Sequence, residues 1–119
     1  MKRIYLASPY WDSDPNIRSF RFKRACHVAA ELMRRKYIVF SPIAHSHPIN
    51  KYGELGGAAT YGLWMMQDLP FVKWADELWI ITLGGYSESK GIGIEMRYAR
   101  KLGKPIKYIE PITLCLTTT

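Results

Sequence analysis

Cysteine is scarce in this sequence, and two cysteines among 119 residues cannot form a disulfide scaffold. Cys26 and Cys115 also lack the close spacing of zinc ligands, so neither a metal site nor an oxidising compartment is indicated. No apolar run approaches the roughly 20 residues of a membrane-spanning helix. The first residues turn polar too early for a secretory signal. These absences predict a one-domain protein of the cytoplasm.

Acidic residues are also few: ten Asp and Glu stand against seventeen Lys and Arg, which gives a net charge of +7. Such a surface attracts anions, and the candidates are nucleic acid, an acidic membrane surface or a small phosphorylated substrate. The charge alone does not choose among them. The apolar share of 48% is ordinary for a globular domain and excludes a largely disordered chain.

Short apolar segments alternate with helical patterns along the chain. The strand-like segments are Arg3–Ala7, Tyr37–Phe40, Glu77–Thr82 and Pro105–Ile109. The helical patterns run from Asp14-Pro15 to Met33, from Tyr61 to Trp74 with a break near Pro70, and from Ile92 to Leu102. Because the strands are apolar throughout rather than at alternate positions, we expect a parallel sheet with helices on both faces. Between the second strand and the second helical pattern, residues 42–62 show no clear hydrophobic period, which predicts a long irregular loop. A loop of this length in a small domain is often a functional lid.

In a parallel sheet, ligands bind beyond the carboxyl ends of the strands, where the strand order reverses. Two loops are placed for this: Ser8 to Asp12 after the first strand, and Gly84 to Gly93 after the third. The second loop is rich in Gly and Ser and leads into a helix, where backbone N–H groups favour anions. Its glycines also suit an ordinary turn.

Three carboxylates and two histidines are candidates for a functional role, and each also has a structural explanation. Glu95 lies in the first turns of a helix, where an acid is also favoured by the helix dipole alone. Asp68 has apolar neighbours; we expect it to be exposed, or else to need a partner or a raised pKa. Asp76 is expected to be a structural cap or strand-edge partner. His45 and His47 have no evident third ligand, so we expect loop hydrogen bonds or contact with a substrate anion rather than a metal.

Several aromatic side chains near these loops have the flat faces that stack on a nucleobase, although most aromatic residues belong to a core. They are Tyr5, Tyr10, Trp11, Trp64 and Tyr86.

Three segments in order resemble the nucleoside 2-deoxyribosyltransferase superfamily. They are the opening strand and loop Ile4–Tyr10, the residues Phe40–Pro42, and the stretch Asp68–Pro111. In the last, an Asp is followed eight residues later by Ala-Asp, then by a strand, a Gly/Ser loop with Gly-x-Gly-x-Glu, a helix ending in Leu-Gly-Lys-Pro and a further strand. The resemblance implies that Glu95 attacks the anomeric carbon, that Asp68 assists at the base or sugar, and that Tyr5 positions the nucleophile.

The residue six positions before the nucleophile distinguishes branches of this superfamily. Nucleoside transferases tend to carry an acid there, whereas this sequence has Ser89, which resembles the nucleotide hydrolases of the superfamily. A hydroxyl can donate a hydrogen bond to a 5′-phosphate, whereas a carboxylate would repel it. Against this, Pro9 and Trp11 stand where those hydrolases often have Ser and Arg, and Arg97 stands where a Gly is usual. Substrate contacts are expected from Ser8, Tyr10, His45, Ser87, Ser89, Gly91 and Gly93, helped by Lys90 and by Arg18 or Arg21.

Together these features predict a flavodoxin- or Rossmann-like three-layer α/β sandwich with four to five parallel strands, residues 1–112, followed by a tail at 113–119. The predicted reaction is hydrolysis of the N-glycosidic bond of a (deoxy)nucleoside 5′-monophosphate, without metal or cofactor, by a homodimer or larger homo-oligomer. Three alternatives stay open: base exchange by 2-deoxyribosyl transfer, a non-catalytic nucleotide-binding module, and a nucleic-acid binder that uses the basic first helix.

Overall fold

A computed structural model describes residues 1–118 as one central sheet flanked by helices. The strands of this range are β1 Arg3–Ala7, β2 Ile38–Phe40, β3 Glu77–Ile81, β4 Ile106–Ile109 and β5 Leu116–Thr117. The α-helices are α1 Pro15–Arg34, α2 Pro42–Gly53, α3 Tyr61–Trp74 and α4 Lys90–Lys101, with short 3₁₀ turns at Gly56–Ala58 and Tyr86–Glu88. The predicted α/β class is confirmed.

The sheet has the strand order β2-β1-β3-β4-β5, and its first four strands are parallel. The chain runs from β1 to one neighbour, β2, and then crosses to the other neighbour, β3. The strand order therefore reverses at β1 and β3, and the loops after these two strands open a crevice at the carboxyl edge of the sheet.

The core has two halves, one on each face of the sheet, as expected for strands that are buried on both sides. On one face, Ile4 and Leu6 of β1 pack with α1 residues such as Val28 and Leu32. On the other face, Tyr5 packs with residues of α3 and α4. The alternation along β1 thus directs Tyr5 toward the helices that carry the predicted carboxylates.

Each helix that borders the crevice begins at a side-chain cap. Ser41 Oγ accepts from the N–H of Ala44 at the start of α2, and Thr60 Oγ1 accepts from Leu63 at the start of α3. Ser89 Oγ accepts from the N–H of Ile92 at the start of α4. These bonds satisfy backbone N–H groups that have no partner within the helix.

The predicted irregular loop at residues 42–62 is wrong over most of its length, because α2 and a 3₁₀ turn occupy it. Ser41-Pro42 is a cap followed by a proline at the first helical position, which is a helix-start signal. The interior mixes His, Asn and Pro48 with few apolar residues, so the helix leaves almost no hydrophobic period in the sequence.

The break expected near Pro70 is also absent, since α3 continues through this residue to Trp74. Proline removes the hydrogen bond to the carbonyl four residues earlier, which here belongs to Met66. Met66 is 64% exposed, so this turn of the helix lies at the surface, where water can hydrate the carbonyl.

The segment after residue 112 adds an edge strand to the sheet. β5 pairs antiparallel with β4, with Tyr108 opposite Thr117 and Ile109 opposite Leu116. The tail was expected to begin at residue 113; its last residue, Thr119, lies outside the described residues.

Candidate active site

A cavity of about 520 Å³ opens at the carboxyl edge of the sheet, where β1 and β3 end. The loop after β1, helices α2 and α3, and the first turns of α4 all contribute to its wall. Six of the ten predicted site residues line it: Ser8, Tyr10, Asp68, Ser89, Gly91 and Glu95. The topology thus collects residues from distant parts of the sequence at the position expected for a ligand.

Glu95 lies at the bottom of this cavity, in the second turn of α4, and is only 4% exposed. The phenol of Tyr5, a fully buried residue of β1, donates a hydrogen bond to Glu95 Oε2. Burial, helped by the nearby charge of Asp68, raises the pKa of Glu95 to about 8 against the opposing effect of the Tyr5 hydrogen bond. Tyr5 itself does not line the cavity, but its hydrogen bond holds the Glu95 carboxyl, which does line it.

Asp68 on α3 is 5% exposed, so the expectation of an exposed acid is wrong. Within the described residues its Oδ1 has no hydrogen-bond partner. Burial raises the pKa of Asp68 to about 6, as expected for a buried carboxyl without a counter-charge. Two buried carboxyls with separated pKa values therefore line one cavity, an arrangement suited to acid–base chemistry.

Ser8 is the second residue with an unsatisfied buried atom. It follows β1, is 4% exposed, and its Oγ has no partner among residues 1–118. In the described part of the chain, only Ser8 Oγ and Asp68 Oδ1 are buried side-chain polar atoms without a hydrogen-bond partner, and both residues line the cavity. Because buried polar atoms are nearly always hydrogen-bonded in folded proteins, this pair marks points where a bound molecule would supply the partner.

The loop before α4 and the first turn of that helix supply fewer residues to the cavity wall than the sequence predicted. Ser89 and Gly91 line the cavity, but the Ser89 hydroxyl also accepts from Ile92 as the helix cap. Ser87 is exposed on the 3₁₀ turn and lies outside the cavity wall. Gly93 also lies outside it, where an added Cβ would meet Arg97 Nη1 at 3.8 Å.

The two histidines have different surroundings, and neither lines the cavity, so the predicted substrate contact of His45 is not supported. His45 is exposed beside Phe40 and does not line the cavity. His47 instead hydrogen-bonds through Nδ1 to the Tyr10 hydroxyl at 2.7 Å and stacks on Phe22 at 4.1 Å. Burial lowers the pKa of His47. Without a predicted helix over this segment, no sequence signal separated the two.

Three cations lie near the cavity, and two of them form part of its wall. Arg21 and Lys90 line it, and the Lys90 ammonium lies 4.7 Å from the centre of the Tyr61 ring. Arg18 does not line it; its guanidinium lies over the Trp11 ring at 4.9 Å. Arg21 donates to backbone carbonyls of two loops.

The aromatic candidates divide between the cavity and the core. Tyr10, Trp11 and Trp64 line the cavity, whereas Tyr86 packs against Tyr108. Four residues of α2 in the cavity wall were not foreseen, because that helix was not predicted: Pro42, Ile43, Ser46 and Asn50.

Asp76 has the structural role expected of it. Its carboxylate accepts from the backbone N–H of Arg3 at 2.8 Å and pairs with the Arg3 guanidinium at 3.1 Å. This contact ties the residue before β3 to the start of β1, away from the cavity.

Residues 1–118 contain no group of three or more His, Cys, Asp or Glu side chains placed to hold a metal ion. No helix in this range is both long and apolar enough to cross a membrane.

A family model described as a domain of unknown function, DUF1937, matches residues 2–110. The chain belongs to the DUF1937 family. No curated protein matches it significantly. Among solved structures, a 2-deoxyribosyltransferase from the psychrotolerant bacterium Bacillus psychrosaccharolyticus is similar over 97% of this DUF1937 chain and 77% of its own, with a TM-score of 0.65 and 24% sequence identity.

This likeness shows that the DUF1937 chain has the fold of that transferase. The two chains are 24% identical, and a fold by itself does not determine a function.

Proposed function

We propose that this DUF1937 protein cleaves the N-glycosidic bond of a 2′-deoxyribonucleoside and transfers the sugar to a second base, with Glu95 as the nucleophile. The observation that carries the proposal is the buried pair of carboxyls in one cavity: Glu95 is held by Tyr5, and Asp68 Oδ1 has no hydrogen-bond partner among the described residues. The fold shared with a 2-deoxyribosyltransferase supports the same reaction class.

The protonation of the pair suits this chemistry. With pKa values raised to about 6 for Asp68 and about 8 for Glu95, the two carboxyls together hold one proton at neutral pH. Cleavage needs one carboxylate to attack and one carboxylic acid to protonate the leaving base. Movement of the single proton from Glu95 to Asp68 on substrate binding would produce both groups at once.

The proposed reaction has two steps. The Glu95 carboxylate forms a bond to C1′ while the C1′–N bond breaks, and the departing base takes the bonding electron pair and the Asp68 proton. A second base then attacks C1′ through a ring nitrogen, its N–H proton passes to Asp68, and Glu95 leaves as a carboxylate. Asp68 then holds the proton and Glu95 is a carboxylate, as they were before cleavage, and the proton returns to Glu95 when the product leaves.

The other polar groups of the cavity would bind and orient the substrate. Ser8 offers a buried hydroxyl that has no hydrogen-bond partner within residues 1–118. Tyr10 is fixed by its hydrogen bond to His47, so its ring and hydroxyl stay in place beside the sugar or base. Trp64 adds an apolar surface on which a base can stack.

A second candidate is hydrolysis of a nucleoside 5′-monophosphate, with water in place of the acceptor base. Ser89 favours it, because a hydroxyl at the start of α4 can donate to a phosphate. Backbone N–H groups between Ser87 and Gly93 would add donors, and the net charge of +7 attracts the anion.

A homo-oligomer is part of the proposal. Helix α3, which carries Asp68, is apolar on more than its buried face, since Met66 is 64% and Phe71 39% exposed. A helix of this kind is typically covered by a partner, and a second copy of the chain is the expected one. Light scattering of the purified protein tests this.

Base release and base exchange distinguish the candidates. The protein is incubated with 2′-deoxynucleosides and with their 5′-monophosphates, with and without a second free base, between about pH 6 and about pH 9. Exchange that requires the second base supports transfer, whereas release from monophosphates without it supports hydrolysis. The Glu95→Gln variant should be inactive and the exposed control Glu54→Gln active. No turnover of any substrate by the parent protein would contradict both candidates and favour a binding module.

A further inference from the structure

Arg21 of α1 joins the two loops that form the rim of the cavity. Its Nη1 donates to the carbonyl of Trp11 at 3.0 Å and, more weakly, to that of Tyr10 at 3.4 Å. Its Nη2 donates to the carbonyl of Gly84 at 2.9 Å. The first two carbonyls belong to the loop after β1 and the third to the loop after β3, so a single side chain connects both.

Gly85 leaves the space that this connection needs. An added Cβ at this position would lie 2.6 Å from Arg21 Nη2, closer than any real contact. The backbone there also has a φ of +91°, a conformation that favours glycine. The loop after β3 is therefore shaped to receive the guanidinium of Arg21.

The acceptors of Arg21 are all backbone carbonyls, and the side chain forms no ion pair within residues 1–118. A planar guanidinium presents five N–H donors in fixed directions and can reach separate acceptors simultaneously. A lysine keeps the charge but donates from one nitrogen. The contact thus depends on the shape of arginine more than on its charge.

We propose that Arg21 is a positioning residue that sets the separation of the two rim loops, and with it the fit of the substrate between Ser8 and the start of α4. This inference rests on the proposed function. The groups that would carry out the bond cleavage, Glu95, Tyr5 and Asp68, are held by a strand and two helices instead. Loss of Arg21 should therefore weaken substrate binding and leave the chemical step largely intact.

The test compares Arg21→Gln and Arg21→Lys with Lys23→Gln, which removes the same charge from an exposed position of α1. The probe is exchange between 2′-deoxyadenosine and a second free purine, measured as KM and kcat. Both Arg21 variants should raise KM roughly tenfold, which is about 1.4 kcal/mol of lost binding, with little change in kcat. Lys23→Gln should match the parent. Full activity of Arg21→Lys, or equal behaviour of Arg21→Gln and Lys23→Gln, would overturn the inference.

Gly85→Ala supplies an independent check, because it disturbs the same contact from the other side. Its KM effect should disappear when Arg21 is already glutamine, while its effect on thermal stability, which comes from the positive φ, should persist. Additive KM effects of the two changes would contradict a shared contact.

Amide hydrogen exchange tests the same inference without a substrate. Arg21→Gln should speed exchange in both rim loops together, residues 9–13 and 83–88, and Lys23→Gln should change neither. Faster exchange in one loop only, or in none, would overturn the proposed coupling even in an active enzyme. Absence of turnover by the parent protein would instead count against the proposed function alone.

Discussion

The Tyr5 phenol and the Glu95 carboxyl meet across 90 residues of sequence, and the hydrogen bond between them joins β1 to α4. Both residues are almost completely buried. Tyr5 has its own pKa raised well above the usual value, mainly by burial, so it remains a donor at any working pH. The carboxyl that we propose as nucleophile is therefore held by a rigid neutral group.

Removal of this donor should reduce activity and move its pH dependence. The Tyr5 hydrogen bond lowers the pKa of Glu95 against the effect of burial, so Tyr5→Phe should raise that pKa above about 8. We expect kcat to fall roughly 10- to 100-fold and the falling limb of the pH–rate profile, where the pair loses its single proton, to shift toward higher pH. Tyr37→Phe, a change beside Trp79 on the other face of the sheet, is the control. An unshifted profile in Tyr5→Phe would contradict the role of this bond.

Replacement of Glu95 by glutamine should stabilise the fold at high pH. The carboxyl has a pKa of about 8 in the folded state and 4.5 as its ordinary value. Between these values the folded state binds more protons than the unfolded state, so stability falls as pH rises from about 4.5 to about 8 and then levels off. Glutamine stays neutral and avoids this loss.

Thermal denaturation of Glu95→Gln and the parent protein checks this expectation. The difference in Tm should be small near pH 4 and grow in favour of the variant up to about pH 8, reaching the order of a few kcal/mol in free energy of unfolding. The similar contribution of Asp68 is present in both proteins and cancels. A variant that is less stable than the parent at high pH would show that Glu95 is not a strained, buried acid.

Ser8 should matter for binding and not for stability. Its hydroxyl has no partner in the described residues, so Ser8→Ala removes an unsatisfied polar group and should leave Tm unchanged or slightly higher. Its KM should rise several-fold. Ser41→Ala is the matched control: this serine is also buried but caps α2, and its loss should destabilise by about 1 kcal/mol. Equal destabilisation by both changes would mean that Ser8 has a structural partner.

Ser89→Asp should separate nucleoside from nucleotide substrates. Asp and Asn are both favoured helix caps, so Ser89→Asp and Ser89→Asn should fold like the parent. A carboxylate at the cavity wall would repel a 5′-phosphate, and turnover of monophosphates should fall about 100-fold in Ser89→Asp but not in Ser89→Asn. Nucleoside turnover should change little. Equal monophosphate turnover by both variants would place the phosphate away from Ser89.

The strands and most helices could be predicted from sequence because their signals are local. β1 and β3 are apolar throughout, and α1 begins at an Asp-Pro start. α2 could not, since it has weak amphipathicity and an internal Pro48. Its stability comes from contacts with α1 and β1, which a sequence pattern does not contain.

The site was only partly accessible from sequence for a similar reason. Glu95 and Asp68 were found through a family resemblance, but the burial of Asp68 depends on how other elements pack around α3. The Tyr10–His47 hydrogen bond crosses between two elements, one of which was not expected to be helical. Arg21 was named only as one of two phosphate helpers, and nothing in its spacing predicted bonds to two separate loops.

The most direct test of the central claim is the intact mass of the protein after brief incubation with a 2′-deoxynucleoside and acid quenching. The account predicts a fraction whose mass is higher by one 2-deoxyribosyl group, with peptide mapping placing the group on Glu95, and no such fraction in Glu95→Gln. The added group should disappear when a second free base is supplied before the quench. An adduct on another residue, or base exchange by Glu95→Gln at the parent rate, would contradict Glu95 as the nucleophile.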